Sequence, residues 1–329
     1  MTVVSAQPVP WAERCELAES PRWHAGWWWW IDAAVGAVFR VDPQADSGSH
    51  TTIRPWWVAG GRVSLVHPAA PEGVLVARGP VLQVCLDGAA GGRPEQGHGR
   101  CAPTSGAAGD GPGMAARLGP RLAELDVPAG WLLNDGTAGP GGGLYIGVVH
   151  PQRDPAAGYL QYVRSDGTLG ARVPGIGLSN GLALDPAGSV LYHADSTRRL
   201  IHAHRLDGRG EVTGSAVHLR FDPDDGMPDG LATDAAGGLW VAMYGASQVR
   251  RYAPDGELDL VVAVPTPQVT SVALGGADGR DVLITTAREG YDERRAAAEP
   301  LAGRLFSARS PHAGRPVLPV RVGSGEAPG

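Results

Sequence analysis

Four side chains that carry oxygen atoms stand near the starts of repeated segments in this chain: Glu19, Asn134, Asn180 and Asp229. Each segment opens on a small or polar residue, runs through apolar positions, crosses a turn of Gly, Pro or Asp, and enters a second apolar stretch. Carboxylate and amide oxygens are the ligands that hard cations such as Ca²⁺ prefer. If the segments are blades of one closed ring, equivalent positions point to a common axis. The pattern therefore predicts a metal site in a central channel.

The spacing of the repeats predicts an all-β fold. Most repeat starts are about 40 to 50 residues apart, which is the length of a four-stranded propeller blade. A content of 49 Gly, 28 Pro and 19% charged residues suits many short strands joined by turns. We expect a six-bladed β-propeller with four antiparallel strands per blade, formed by residues 1–329 as a single domain. The six starts lie near Glu19, Val63, Asn134, Asn180, Asp229 and Thr270.

The sequence does not decide two features of this ring. The interval between the second and third starts contains a Gly/Ala/Pro-rich tract at about 88–120, which predicts a surface loop inserted in the second blade or at its junction with the third. A disordered loop is favoured over a lid on the site. Residues 304–309 are expected in the last blade, and either 1–5 or 317–322 could lie beside them and close the ring.

Composition excludes several classes of function. The net charge is −6 and no basic cluster occurs, which argues against nucleic-acid binding. The chain has no Lys, which excludes a Schiff base on Lys and a phosphate-loop Lys. Its three cysteines, Cys15, Cys85 and Cys101, are too widely spaced for a disulfide framework or a structural zinc site. With no leader segment and no apolar run long enough for a bilayer, we expect a cytoplasmic monomer or small homo-oligomer that acts on a small molecule.

The oxygen ligands indicate hydrolysis by a metal-activated water. A divalent cation held by Glu19, Asn180 and Asp229 would polarise a carbonyl and lower the pKa of bound water. Asp229, beside that water, would be the general base. The alternative is that the Asn-Gly and Asp-Gly pairs only form turns. Their recurrence at equivalent positions of the repeat favours the metal site. A serine hydrolase is disfavoured because the chain contains no Gly-x-Ser-x-Gly motif.

The ordered motifs resemble the gluconolactonase and regucalcin (senescence marker protein) family from about Glu19 to Arg288. The motifs that carry the resemblance are Leu17-Ala-Glu19-Ser-Pro-Arg-Trp23, Asn134-Asp-Gly136, Leu178-Ser-Asn180-Gly-Leu182, Leu191-Tyr-His-Ala-Asp-Ser196, Pro228-Asp229-Gly-Leu-Ala232, and Thr270-Ser271 with Gly275-Gly276. The resemblance implies a six-bladed propeller that binds one divalent cation and hydrolyses lactones. Calcium is favoured here, with Zn²⁺, Mn²⁺ and Mg²⁺ as alternatives.

The resemblance also assigns roles to individual residues. The metal ligands of the family correspond to Glu19, Asn180 and Asp229, and a substrate-contacting Asn corresponds to Asn134. Members that act on sugar lactones usually carry Arg where this chain has Leu132, and an acidic residue of some members falls near Gln152. With Leu132 in place of the forked Arg donor, this side of the substrate pocket would be apolar. We therefore expect a substrate that is less hydroxylated than a sugar lactone.

Other chemically suggestive residues receive plainer interpretations. The run Trp27–Trp30 matches the buried second strand of the repeat and is expected in the core. Trp56 and Trp57 lie between blades and either pack there or line the entrance. His150, which follows the strand after Asn134, is a candidate substrate contact. His193, His202 and His204 lie within strand patterns and are interpreted as structural.

Two rivals to a lactonase remain open at this level. The first keeps the pocket but changes the reaction to a biosynthetic cyclisation or to cleavage of a non-lactone ester or phosphoester, and the loss of the family Arg favours it modestly. The second is a non-enzymatic propeller that binds calcium or a protein partner. A propeller that serves only for protein interaction has no need of carboxylates at its axis.

Overall fold

The strands of the protein form a closed ring of sheets. The computed structural model describes residues 1–10, 12, 14–43, 55–88 and 116–323. These residues form six sheets, of which four have four strands and two have five. The first strand of each sheet contacts the first strand of the next, and the sixth contacts the first. The fold is a six-bladed β-propeller with four antiparallel strands per blade, as the repeats predict.

The strands follow one another in chain order. The N-terminal strands are β1 (Thr2–Ser5) and β2 (Gln7–Pro8). Blade one contains β3 (Ala18–His24), β4 (Trp27–Asp32), β5 (Ala37–Val41) and β6 (Trp57–Val58). Blade two contains β7 (Val63–Ala70), β8 (Val74–Arg78), β9 (Val81–Asp87) and β10 (Ala116–Glu124). Blade three contains β11 (Leu132–Ala138), β12 (Leu144–Val149), β13 (Gly158–Val163) and β14 (Leu169–Ile176).

The second half of the ring repeats this order. Blade four contains β15 (Ser179–Leu184), β16 (Val190–Asp195), β17 (Leu200–Leu206) and β18 (Val212–Arg220). A 3₁₀ turn at Pro223–Asp225 leads to blade five, with β19 (Met227–Thr233), β20 (Leu239–Tyr244), β21 (Gln248–Tyr252) and β22 (Leu258–Ala263). Blade six contains β23 (Val269–Gly275), β24 (Asp281–Thr286) and β25 (Phe306–Arg309), with helix α1 (Glu293–Ala298) before β25; β26 (Val320–Arg321) follows.

The N-terminus closes the ring, but not with either of the segments considered from the sequence. Strand β2 pairs antiparallel with β25 and supplies the fourth strand of blade six. Strand β1, within the candidate segment 1–5, instead adds to blade five, parallel to β22. The other candidate segment, 317–322, contains β26, which pairs with β7 of blade two. The sequence pattern missed β2 because two residues are too few to show alternation.

In each blade, the regular residue pairing between the innermost strand and the second strand is interrupted at one point. The shifts fall between Glu19 and Arg22, Val63 and Leu65, Leu133 and Gly136, Ser179 and Leu182, Pro228 and Leu231, and Val269 and Ser271. A bulge of this kind re-aims side chains at the place where it occurs. Asn134, Asn180 and Asp229 lie inside three of these bulges. The interpretation of Asn180-Gly181 and Asp229-Gly230 as simple turns is therefore wrong, because both pairs lie within strands.

Glycines beside these residues let the innermost strands approach each other closely. A Cβ atom on Gly181 would lie 2.4 Å from the backbone oxygen of Asp229, and one on Gly230 would lie 2.0 Å from Ser271 Oγ. Real Cβ atoms do not approach other atoms so closely, so any larger residue would force the blades apart. Strand packing at the axis thus requires Gly at positions 181 and 230, directly after Asn180 and Asp229.

The two ends of the central channel differ. Glu19, Asn134, Asn180 and Asp229 stand near the N-terminal ends of their innermost strands, and we call this the ligand end. The opposite end is crossed by the C-terminal segment 310–323, which we call the strap. The strap bonds to blade five through Ala313, to blade four through the Arg315 guanidinium, and to blade two through β26. The strap closes this end of the channel.

The predicted insertion is anchored at the strap end. Residues 89–115 lie outside the described residues, but Ala116 pairs with Asp87, so both ends of the tract leave blade two from the end opposite the ligands. Residues 116–120 belong to β10, which corrects the predicted end of the loop. A lid on the candidate site would have to reach it from the far face of the ring.

The tryptophan-rich segments pack inside the protein. Trp28, Trp29 and Trp30 are buried in β4, as predicted. Trp56 and Trp57 are also buried, and the Trp56 ring contacts the Trp29 ring at a centroid distance of 5.0 Å. Both residues therefore pack between blades and do not line the entrance. Among the described residues, none of the helices has the length and apolar character needed to cross a membrane.

Replacement of Gly181 tests the close approach of the innermost strands. Gly181→Ala should lower the free energy of unfolding by about 1–3 kcal/mol, because its methyl group overlaps backbone atoms of β19. Chemical denaturation measures this change. The matched control is Gly208→Ala, where a Cβ atom meets nothing within 4 Å. Equal stability of the two variants would contradict the packing account.

Candidate metal centre

Two amide side chains are locked together at the ligand end. Asn134 Nδ2 donates to Asn180 Oδ1 at 2.7 Å and to the Ser179 carbonyl at 2.8 Å. Asn180 Nδ2 donates to Ser196 Oγ at 2.9 Å, and Ser196 Oγ donates to the Pro228 carbonyl at 2.6 Å. This network joins blades three, four and five. It fixes the orientation of both amides, and it leaves Asn134 Oδ1 and the second lone pair of Asn180 Oδ1 as acceptors.

Two carboxylates, from blades one and five on either side of blade six, lie at the ligand end of the channel. Burial is the main cause that raises the pKa of Glu19 to about 8, from an ordinary value of 4.5, and the nearby negative charge of Asp135 adds to it. Burial also raises the pKa of Asp229 well above its ordinary value, and the Glu19 carboxylate is the next cause. Because the charge of Glu19 raises the pKa of Asp229, the two carboxyl groups lie within electrostatic reach of each other.

A third carboxylate near this pair has its own counter-ion. Burial raises the pKa of Asp135, while the Arg22 guanidinium opposes that rise. Arg22 lies 3.3 Å from Asp135 Oδ1 and also donates to the Gly136 carbonyl at 2.9 Å. Arg22 lines the cavity that the strap closes at the other end of the channel. The Arg22–Asp135 pair thus separates the candidate site from the strap end.

The residues present fit a divalent cation. Asp229 Oδ1 is buried and has no hydrogen-bond partner in the described part of the chain, which is costly for a carboxylate oxygen. A cation between Glu19 and Asp229 would satisfy that oxygen and remove their repulsion. Within the described residues no group of three or more His, Cys, Asp or Glu could hold a metal. The Asn180 amide oxygen would therefore complete the donor set, which is all oxygen and suits a hard ion.

The predicted substrate contacts lie at the ligand end on blade three. Leu132 begins β11 and is 43% exposed. His150 follows β12, and its ring stands edge-on to Trp131 at a centroid distance of 5.0 Å. Gln152 is exposed in the turn after His150. The strand register places these three residues at the same end of blade three as Asn134, and their contact with substrate stays a prediction.

Several residues at this site were not singled out from the sequence. Arg153 adopts φ 53°, an uncommon value for a residue other than Gly, and its charge opposes the rise in the Asp229 pKa. Burial raises the pKa of Tyr244 to about 12, and the Asp229 charge contributes. Asp135 and Ser196 stand inside motifs already recognised and could have been found there. Arg153 follows the second strand of blade three and Tyr244 ends that of blade five, where the repeat gives no distinct signal.

Comparison with known proteins agrees with this architecture. Residues 17–288 match the family described as SMP-30/Gluconolactonase/LRE-like region. The chain belongs to the SMP-30/gluconolactonase family. The resemblance inferred from the ordered motifs is thereby confirmed.

Several members of the SMP-30/gluconolactonase family are similar to this chain. An L-arabinolactonase of Azospirillum brasilense is 36% identical over 59% of this chain, and the match spans 65% of that relative, slightly less than two thirds of its length. A pentonolactonase of Haloferax volcanii is 28% identical over 94% of this chain and 97% of its own length. The structure of regucalcin, a calcium-binding protein from Agrobacterium tumefaciens, superposes with a TM-score of 0.79 at 24% identity, covering 98% of this chain and all of that one.

The stability of the metal-free protein should fall as the pH rises from about 5 to 8. In this range the folded state keeps the proton of Glu19, whose pKa is about 8, while the unfolded state has already lost it. The folded state therefore binds more protons, and rising pH favours unfolding. Cation binding releases the same proton, so cation affinity should increase with pH by up to about tenfold per unit. Thermal unfolding at several pH values, with chelator or with added cation, measures both effects.

The control for this prediction is Glu19→Gln, which removes the titrating group and should flatten the pH dependence of the metal-free protein. A melting temperature that stays constant or rises between pH 5 and 8 in chelator would contradict the close packing of the two carboxylates.

Proposed function

We propose that this protein hydrolyses a lactone, with one divalent cation held by Glu19, Asn180 and Asp229, and calcium the favoured ion. The observation that carries the proposal is the buried pair of Glu19 and Asp229 with the unpartnered Asp229 Oδ1. The lactonases among the relatives support the reaction class. The regucalcin neighbour, itself a calcium-binding protein, supports the choice of ion.

Asp229 and Asn134 have separate roles in the proposed hydrolysis. When bound, the cation would polarise the ester carbonyl and make water more acidic. Asp229 accepts the proton of the attacking water as the water oxygen bonds to the acyl carbon. The ring C–O bond then breaks, and the proton passes to the departing oxygen to give a hydroxy acid. Asn134 Oδ1 is free to accept a hydrogen bond from a substrate hydroxyl.

The wall beside Asn134 supports a substrate with few hydroxyl groups. Leu132 offers an exposed apolar surface two residues before Asn134 and has no hydrogen-bonding capacity in its side chain. A site that lacks a forked donor gains little from a ring of hydroxyls. We infer that the natural lactone presents an apolar face to Leu132.

Removal of the general base tests the mechanism. Asp229→Asn should lower kcat by about 10²- to 10⁴-fold, the range that general base catalysis contributes. The assay uses chelated protein, a panel of lactones, aryl esters and phosphotriesters, and separate additions of Ca²⁺, Mn²⁺, Mg²⁺ and Zn²⁺. Asp224→Asn is the control, because Asp224 is an exposed carboxylate that precedes the same strand.

The panel also separates the rival functions. Turnover of esters or phosphotriesters without lactones would favour the biosynthetic or esterase alternative. Cation binding with no turnover of any compound would favour a calcium-binding propeller. Full activity in chelator, or an unchanged kcat in Asp229→Asn, would overturn the proposed mechanism.

Restoring the donor at position 132 tests the substrate class. Leu132→Arg should improve kcat/KM for a sugar lactone by about tenfold, the scale of one good charge-assisted hydrogen bond, and should reduce it for an unsubstituted aliphatic lactone. Leu132→Met keeps the wall apolar and serves as control. Efficient turnover of sugar lactones by the unaltered protein, with no gain from Leu132→Arg, would contradict the inference.

A further inference from the structure

A hydrogen-bonded chain crosses blade four from the channel wall to its outer strand. Ser179 Oγ on β15 lies 2.7 Å from His193 Nε2 on β16. His193 Nδ1 lies 3.3 Å from His204 Nε2 on β17, and His204 Nδ1 lies 2.7 Å from Ser215 Oγ on β18. Each of the four strands contributes one residue. The first three are buried, and Ser215 is exposed.

The imidazoles of His193 and His204 in this hydrogen-bonded chain are neutral. Burial lowers the pKa of His193 well below its ordinary value and lowers that of His204 to about 4, with the neighbouring histidines adding to each effect. A neutral imidazole has one donor and one acceptor nitrogen, so all three bonds must run in the same direction along the chain. Bonds aligned in this way strengthen one another in a buried setting. The chain is therefore a single unit and not three separate contacts.

The hydrogen-bonded chain begins at Ser179, where the pairing of β15 with β16 is interrupted. The ladder between β15 and β16 is interrupted between Ser179 and Leu182, and this bulge contains Asn180. An interrupted ladder loses regular backbone bonds, so the bulge needs other restraints to keep one conformation. The bond between Ser179 and His193 ties the two strands together at the start of the bulge.

Ser179 also connects this tie to the candidate metal centre. The Ser179 carbonyl accepts a hydrogen bond from Asn134 Nδ2 at 2.8 Å, and the next residue in the sequence is Asn180. Gly147 permits the arrangement, because a Cβ atom there would lie 2.2 Å from Ser179 Oγ. A shift of Ser179 would therefore move both amides of the site.

We propose that the Ser179–His193–His204–Ser215 chain is a positioning device that fixes the bulge of β15, and through it the amide oxygens that Asn180 and Asn134 present to the cation and the substrate. This inference rests on the proposed metal site. The histidines do not touch the cation; they act through Ser179. Their role is thus more specific than the structural one that the sequence suggested.

Aromatic replacement of single histidines tests the proposal. His193→Phe keeps the ring but breaks two bonds of the chain, and it should weaken Ca²⁺ and Mn²⁺ binding about five- to tenfold, the scale of one net hydrogen bond. The matched control is His202→Phe. His202 belongs to the same cluster, with its ring centroid 5.8 Å from that of His204, but its Nε2 has no partner within the described residues. This control should bind the cations within twofold of the unaltered protein. Isothermal titration calorimetry gives the affinities.

A second pair of variants separates positioning from a loss of folding. Ser179→Ala removes only a hydroxyl and should weaken cation binding to a similar degree. The double variant Ser179→Ala/His193→Phe should bind no more weakly than His193→Phe alone, because the chain is already broken. Melting temperatures in chelator report the structural cost of each change.

The outcomes are distinct. If the unaltered protein binds no divalent cation, the proposed function fails together with the inference. If it binds cations, but His193→Phe and His202→Phe have equal affinities or the losses in the double variant add, only the inference is overturned. A fall in melting temperature with unchanged cation affinity would also overturn it, because it would mean that the chain only stabilises blade four.

Discussion

The central constraint on this protein is the burial of two carboxylates, Glu19 and Asp229, beside each other at the axis of a ring. Removal of a charge from water costs several kcal/mol, and like charges in close contact add to that cost. The innermost strands of blades one and five, which flank blade six, bring the pair to the same end of the channel. Protons, or the proposed cation, would neutralise them, so the stability of the folded state is linked to pH. Asp135, the third carboxylate, carries Arg22 as its own partner and does not need the cation.

The backbone of the ring is adapted to this convergence in two ways. Bulges interrupt all six innermost strands near the ligand end, and they turn selected side chains toward the axis. Gly181 and Gly230 then let neighbouring strands come close enough for those side chains to meet. At such bulges some of the regular backbone hydrogen bonds between the two strands are lost. Side-chain bonds restrain blade four at this point, through His193, and blade six, where Thr270 Oγ1 lies 2.8 Å from Thr285 Oγ1.

The channel has one open end and one closed end. The strap bonds to successive blades on the face opposite the ligands, and Arg22 lies between the strap cavity and the carboxylates. The ligand end is formed by the starts of the innermost strands and by the loops that follow second strands. The loop at His150 to Arg153 is one of these. Specificity in such a ring depends on these short loops, whereas the position of the cation site depends on the strands.

The sequence by itself determined the repeat, the number of blades and the four oxygen-bearing positions, because apolar alternation and turn residues recur with every blade. It also predicted the burial of Trp28, Trp29 and Trp30, whereas Trp27 is only partly buried. Only the tertiary structure decided which terminal strand closes the ring, since β2 is two residues long and its pairing is a long-range event. Likewise, the Asn134–Asn180 bond, the Arg22–Asp135 pair and the histidine chain of blade four join residues that are distant in sequence or on different strands. Local patterns record the period of a strand but not its partners, and these contacts exist only once the ring has closed.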